Sequence, residues 1–154
     1  MSDRREISFS SMDDVLADIQ QLAQGEHRTV GKESFARIVR HLAKTNEMLT
    51  GQTKPPKFPL MMRIMMPMMR SKILNTPAAP GFTLPSAEMQ QFFWGEGEPE
   101  LSQAISQFKQ SSERYNSQGP LPTHPLFGKA TREQIDNLTL THAAMHLSHV
   151  HPAG

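Results

Sequence analysis

Four stretches of the chain repeat apolar residues at helical spacing, and none alternates as a convincing strand would. The first runs from about Met12 to Gln24, with Val15, Ile19 and Leu22 as its stripe and Ser11 with Asp14 as a capping box carrying Asp in place of Glu. The second runs from about Lys32 to Leu49. Its apolar face is Phe35, Ile38, Val39, Leu42, Met48 and Leu49, His41 falls between Ile38 and Leu42 on that face, and Gly51 is its stop. The third begins near Pro99, a residue suited to a first helical turn, and repeats Leu101, Ile105, Phe108 and Tyr115. The fourth opens on Thr131-Arg132-Glu133-Gln134, a capping box in form, and carries Ile135, Leu138, His142, Met145, His146 and His149 on one side. From Thr131 to His149 it would reach roughly 28 Å.

Between the second and third helices the pattern changes. Residues 50–85 hold seven prolines (55, 56, 59, 67, 77, 80 and 85), so no single long helix can occupy them. Leu60–Leu74 contains six of the eleven methionines and is expected as one short helix kinked at Pro67. Ser86–Trp94 adds another helical piece, whose Phe92, Phe93 and Trp94 pack the segment against the rest. The expected architecture is all-α, a single four-helix bundle over residues 1–154 with one long Pro- and Met-rich crossover.

The composition fits one soluble domain with one core: 154 residues, 37% hydrophobic, 20% charged, net charge +1. That balance gives no reason to expect a nucleic-acid partner. There is no cysteine, which excludes disulfides, thiolate zinc sites and a Cys nucleophile. The N-terminal residues lack the apolar region of a signal peptide, and the longest apolar run, Leu60 to Met69, is broken by Arg63 and Pro67 and is too short to span a bilayer. A cytoplasmic location is the expectation.

The fourth helix carries the chemistry. His142, His146 and His149 stand at i, i+4 and i+7, on one helical face. Two imidazoles one turn apart can hold a divalent metal when a third ligand arrives from another element. His41, mid-helix on an inward face, is the natural third. Helices in a bundle pack about 8–10 Å apart, so facing imidazoles can converge on one ion. The alternative for each buried His is a hydrogen bond to a neighbour. His149 lies near the helix end, where an imidazolium favours the dipole, and His151 belongs to the tail. Solvated roles suit both better than ligation. His27 is expected at the surface, and His124, flanked by prolines, in a turn-stabilising role.

The Met-rich segment allows several readings. Packing or a lid is the blandest, since methionine is a pliable filler; thioether binding of a soft metal is another. Lys54, Lys57, Arg63, Arg70 and Lys72 stand in residues 48–87, which hold no acidic group. Such a positive apolar surface could cover a pocket, bind an anionic substrate, contact a second subunit in a homodimer or rest on a membrane.

Together these motifs resemble the DinB/YfiT-like superfamily of four-helix bundles, and in particular a branch with a His-Pro-x-Phe-Gly turn before the last helix. Gly31 to Phe35 through Arg40-His41-Leu42-Ala43 looks like the family's second helix; His124-Pro125-Leu126-Phe127-Gly128 followed by Thr131 to Gln134 looks like the branch's turn and helix start; Thr141-His142-Ala143-Ala144-Met145-His146-Leu147 looks like the closing H-x-x-x-H. The resemblance implies that His41, His142 and His146 bind one divalent metal, commonly nickel or zinc. It departs at Glu33, where the family often has an aromatic residue, and at His149, where it often has Gln.

Characterised members of that superfamily include transferases and isomerases that use a low-molecular-weight thiol as co-substrate. The resemblance therefore implies a metal- and thiol-dependent transferase acting on small electrophiles. A metal-dependent hydrolase would need the same ligands, and a non-catalytic metal or small-molecule binding module would need no turnover. His149 is the catalytic candidate, as a general base or polar site residue, or else a fourth ligand. A zincin is excluded, because Ala143 stands where its Glu would be.

Overall fold

The computed structural model describes residues 3–75 and 84–153, so Pro77, Pro80 and Gly154 lie outside the described residues. Among these residues the chain is mostly helical, with α1 (Met12–Gln24), α2 (Phe35–Leu49), α3 (Leu60–Met68), α4 (Arg70–Leu74), α5 (Ala87–Trp94), α6 (Leu101–Gln118) and α7 (Arg132–Leu147). Helix α2 packs on both α6 and α7, and α1 packs on the same two helices. The apolar stripes meet there: Val15 and Ile19 of α1, Val39 and Leu42 of α2, Phe108 of α6, and Ile135 and Leu147 of α7 are all buried. The three helical pieces α3, α4 and α5 occupy the segment between α2 and α6, with α5 against α2 and α4 against α7.

Helix starts follow their caps. Ser11, Ser34 and Thr131 each accept a bond from a backbone N–H three residues on, and Gln134 completes the capping box by accepting from Thr131 N. At α1 the box is displaced by one residue, since Asp14 accepts from Ser10 N instead of Ser11 N. Helix α2 starts at Phe35 and not near Lys32, because Gly31 has φ +99° and Ser34 is extended. Helix α6 starts at Leu101, two residues beyond Pro99. The segment expected as one helix kinked at Pro67 is two helices. Pro67 sits in the last turn of α3, and the break falls at Met69.

Strands are present although the sequence pattern shows none. β1 (His27–Thr29) pairs antiparallel with β4 (Val150–Pro152), and β2 (Thr123–His124) with β3 (Gly128–Lys129). Two or three residues are too few for alternation to register. The β1–β4 pairing ends α7 at Leu147, with Ser148 as its cap, so His149 lies beyond the helix and not on its face. Arg5 holds this end from the other side: its guanidinium grips Asp18 with two bonds of 2.9 and 3.1 Å and donates to the Leu147 carbonyl at 3.0 Å.

Candidate metal centre

His41 projects from the middle of α2, between Ile38 and Leu42, and is buried. Its Nδ1 lies 2.7 Å from the carbonyl oxygen of Phe93. A carbonyl only accepts, so Nδ1 carries the proton and the Nε2 lone pair is exposed to the site. That Nε2 stands 3.2 Å from Nε2 of His142. His146, one turn further along α7, closes the group: its ring centroid is 4.7 Å from both His41 and His142. One nitrogen from each of the three lies within 4.8 Å of the others, close enough to hold a metal ion.

The donor set fits a transition metal. Zinc–imidazole bonds of about 2.0–2.1 Å place tetrahedral donors about 3.3 Å apart, close to the His41–His142 spacing. The imidazoles are also held neutral, the form that ligates. Burial lowers His142 to about 4. Burial, and then the neighbouring His142, lower His41 to about 3 against the opposing pull of the Phe93 carbonyl. His146 is depressed furthest, by burial first and then by His142, His41 and His149. Each would otherwise carry charge near its ordinary value of about 6.5.

Three features of this centre have no signature in the helical pattern. The indole of Trp94 stacks on His41 with centroids 3.9 Å apart and planes 4° from parallel, and meets His146 edge-on at 5.2 Å. Phe93 supplies the carbonyl that fixes the His41 tautomer. Behind both, Arg40 donates to the carbonyls of Trp94, Glu96 and Gly97 at 2.8–3.1 Å, pinning the end of α5 to α2. Gly95 leaves room for it, since a Cβ there would stand 2.9 Å from the guanidinium, and its φ is +77°. The sequence pattern expects Phe93 and Trp94 only to pack the crossover against the bundle, and gives Arg40 no role beyond standing next to His41.

The three histidines form part of the wall of a cavity of about 660 Å³. Its lining is mainly apolar, drawn from α2, the crossover and α7, with Met48, Phe58, Met66 and Leu138 among the residues. Glu33 is the one carboxylate among the described lining residues, and its Oε2 is engaged by Arg37 Nε at 2.5 Å.

The remaining histidines separate clearly. His149 lines the same cavity and hydrogen-bonds the Met145 carbonyl through Nδ1 at 3.1 Å, but stands outside the group of three. His124 also lines the cavity, and its Nδ1 accepts from the backbone N–H of Leu126 at 3.0 Å and of Phe127 at 3.3 Å. That is the turn-holding role its sequence implied. Burial lowers its pKa to about 4. His27 is half-buried, edge-on to Phe35 at 4.8 Å, and His151 lies in β4, bonded to the Asp3 carbonyl at 2.6 Å.

A family model described as "Protein of unknown function (DUF1569)" matches residues 1–153. The chain belongs to the DUF1569 family. No curated protein and no solved structure matches this DUF1569 chain. The match spans α1 through β4, so all three histidines of the centre belong to the family domain. No helix among the described residues of this DUF1569 protein is long and apolar enough to cross a membrane.

Proposed function

We propose that this DUF1569 protein is a divalent-metal-binding four-helix bundle of the DinB-like type, with His41, His142 and His146 as ligands and nickel or zinc as the ion. Its proposed activity is transfer of a low-molecular-weight thiol to small electrophiles. The observation that carries this reading is the convergence of three buried imidazoles from two helices at one wall of an apolar cavity. The packing of α1 and α2 on α6 and α7, with a long connection between α2 and α6, supports the bundle.

A bound ion would act as a Lewis acid, lowering the pKa of a thiol so that it is a thiolate near neutral pH. The chain's own residues do the rest. Phe93 and Trp94 hold His41 in one tautomer and one plane, and the apolar lining excludes water and receives the organic body of the electrophile. His149 donates from Nδ1 to Met145, so its Nε2 is free to take the proton that leaves the thiol. The thiol comes from solution, because the chain has no cysteine. A metal-dependent hydrolase would have to use the same His149 as its base, because Glu33, already bound by Arg37, is the one carboxylate among the described lining residues.

The test is to supply the zinc- or nickel-loaded protein with cysteine, glutathione or coenzyme A and with chlorodinitrobenzene. The new C–S bond forms as the C–Cl bond breaks and chloride leaves. Turnover that needs both metal and thiol, and that disappears in a His41→Ala/His142→Ala variant, supports the proposal. Activity unchanged in that variant refutes it; metal binding with no turnover over a range of thiols and electrophiles leaves a binding module in its place.

A further inference from the structure

Helix α3 is apolar on two sides. Met62 packs on the core and Met66 lines the cavity. Leu60, Met61, Ile64, Met65 and Met68, at i, i+1, i+4, i+5 and i+8, share the outer face. That face is open: Leu60 is 64% exposed, Met61 71% and Met68 81%. Six of the seven large apolar side chains left exposed among the described residues lie within Leu60–Met69. Such concentration on one short element is what an interaction surface looks like, not the scatter of ordinary surface apolar residues.

Charge indicates what meets it. Residues 48–87 carry five of the chain's sixteen basic residues and none of its fifteen acidic ones, so the rest of the chain is net acidic. Lys54 and Lys57, just ahead of α3, and Arg63, within it, are exposed, and Arg70 follows, donating to the Lys129 carbonyl. A symmetric contact between two copies through this face would set like charges together. A phosphate-bearing lipid surface answers both features at once, with the apolar side chains entering the acyl boundary and the cations meeting the headgroups.

We propose that α3 and the basic segment around it form a docking surface for anionic membranes, with Leu60, Met61, Ile64, Met65 and Met68 inserting and Lys54, Lys57 and Arg63 holding the headgroups. The inference stands apart from the metal: it requires no ion at the histidine centre. Because Met66 lines the cavity from the same helix, docking places the cavity wall next to the lipid layer.

The test is co-flotation of the full chain with vesicles of phosphatidylcholine alone and with vesicles containing phosphatidylglycerol. Binding is expected with the anionic vesicles, and raising the salt should release it. Lys54→Gln/Lys57→Gln/Arg63→Gln should weaken partitioning about a hundredfold. Met61→Ser/Met65→Ser/Met68→Ser should weaken it by more than about tenfold. These positions are exposed, so helicity by circular dichroism should match the parent chain and separate lost docking from lost folding. Absence of binding to anionic vesicles by the folded parent overturns the proposal. So does equal binding to both vesicle types, or a dimer in sedimentation that the methionine substitutions disperse.

Discussion

Trp94 lies flat on His41, 3.9 Å between centroids, and the residue before it donates no side chain to the centre but supplies the carbonyl that His41 Nδ1 bonds. One short helix therefore sets both the plane and the tautomer of an imidazole on another. Groups that orient a ligand in this way typically contribute about 10–100-fold to metal affinity. Trp94→Leu should weaken zinc or nickel binding by that order while the protein stays folded, measured by competition with a chromophoric chelator.

Arg40 should act one step further out. Its three carbonyl partners fasten the end of α5, and it touches none of the three histidines by hydrogen bond. Arg40→Ala should lower metal affinity by loosening Phe93 and Trp94. Gly95→Ala, which forces a Cβ against the guanidinium from a positive-φ position, should give the same loss. Unchanged affinity in both variants would show that Phe93 is held by other contacts.

The pH dependence of stability has a definite sign. The pKa of His124 is lowered to about 4 by burial, against about 6.5 in the unfolded chain. Unfolded chain therefore binds the proton first as pH falls, and the stability gained from keeping this imidazole neutral is present above about pH 6.5 and lost on descending towards pH 4. Protonation also turns Nδ1 from an acceptor of two backbone bonds into a donor. His124→Asn removes this component. The stability advantage of the parent over that variant should shrink by up to about 3 kcal/mol between pH 7 and pH 4 in urea titrations. A constant advantage would contradict the assignment.

Gly31 is one of six glycines held at positive φ among the described residues. Its φ is +99°, and a Cβ there would approach His149 Cδ2 to 3.3 Å while Val30 N donates to the His149 carbonyl at 2.8 Å. Gly31→Ala should cost about 1–2 kcal/mol from the backbone alone, read as a lower urea midpoint at unchanged slope. It should also displace His149 from the cavity wall.

The helices were legible because their stripes are long and their caps are local: Ser11 and Thr131 announce two of the four long starts, whereas the start of α2 was expected near Lys32 and falls at Phe35, after Ser34. The three histidines were legible as a converging group for the same reason, since position along α2 and α7 decides which face each occupies. What escaped depends on contacts between distant segments. The end of α7 is set by β4 pairing with β1, whose partner residues stand 121–125 positions away in the chain, so His149 looked like a further turn of helix and is not. Phe93 and Arg40 act through backbone carbonyls, which carry no residue signature. The crossover was expected as pieces because of its prolines, but the break at Met69 instead of Pro67 reflects a proline tolerated within the last turn of α3.

Metal removal should be visible as lost stability. An ion at about a hundred times its Kd adds about 2.7 kcal/mol to a folded chain that alone binds it. Chelation should therefore lower the thermal midpoint by roughly 5–10 °C for a domain of this size, and zinc or nickel should restore it.

The central claim is that His41, His142 and His146 hold one ion. It is tested most directly by elemental analysis and calorimetric titration of untagged protein beside the His41→Ala/His142→Ala/His146→Ala variant. One equivalent of zinc or nickel bound by the parent, and none by the helical variant, is the predicted result. A folded parent with no affinity for either metal, or a variant that keeps its ion, would contradict it.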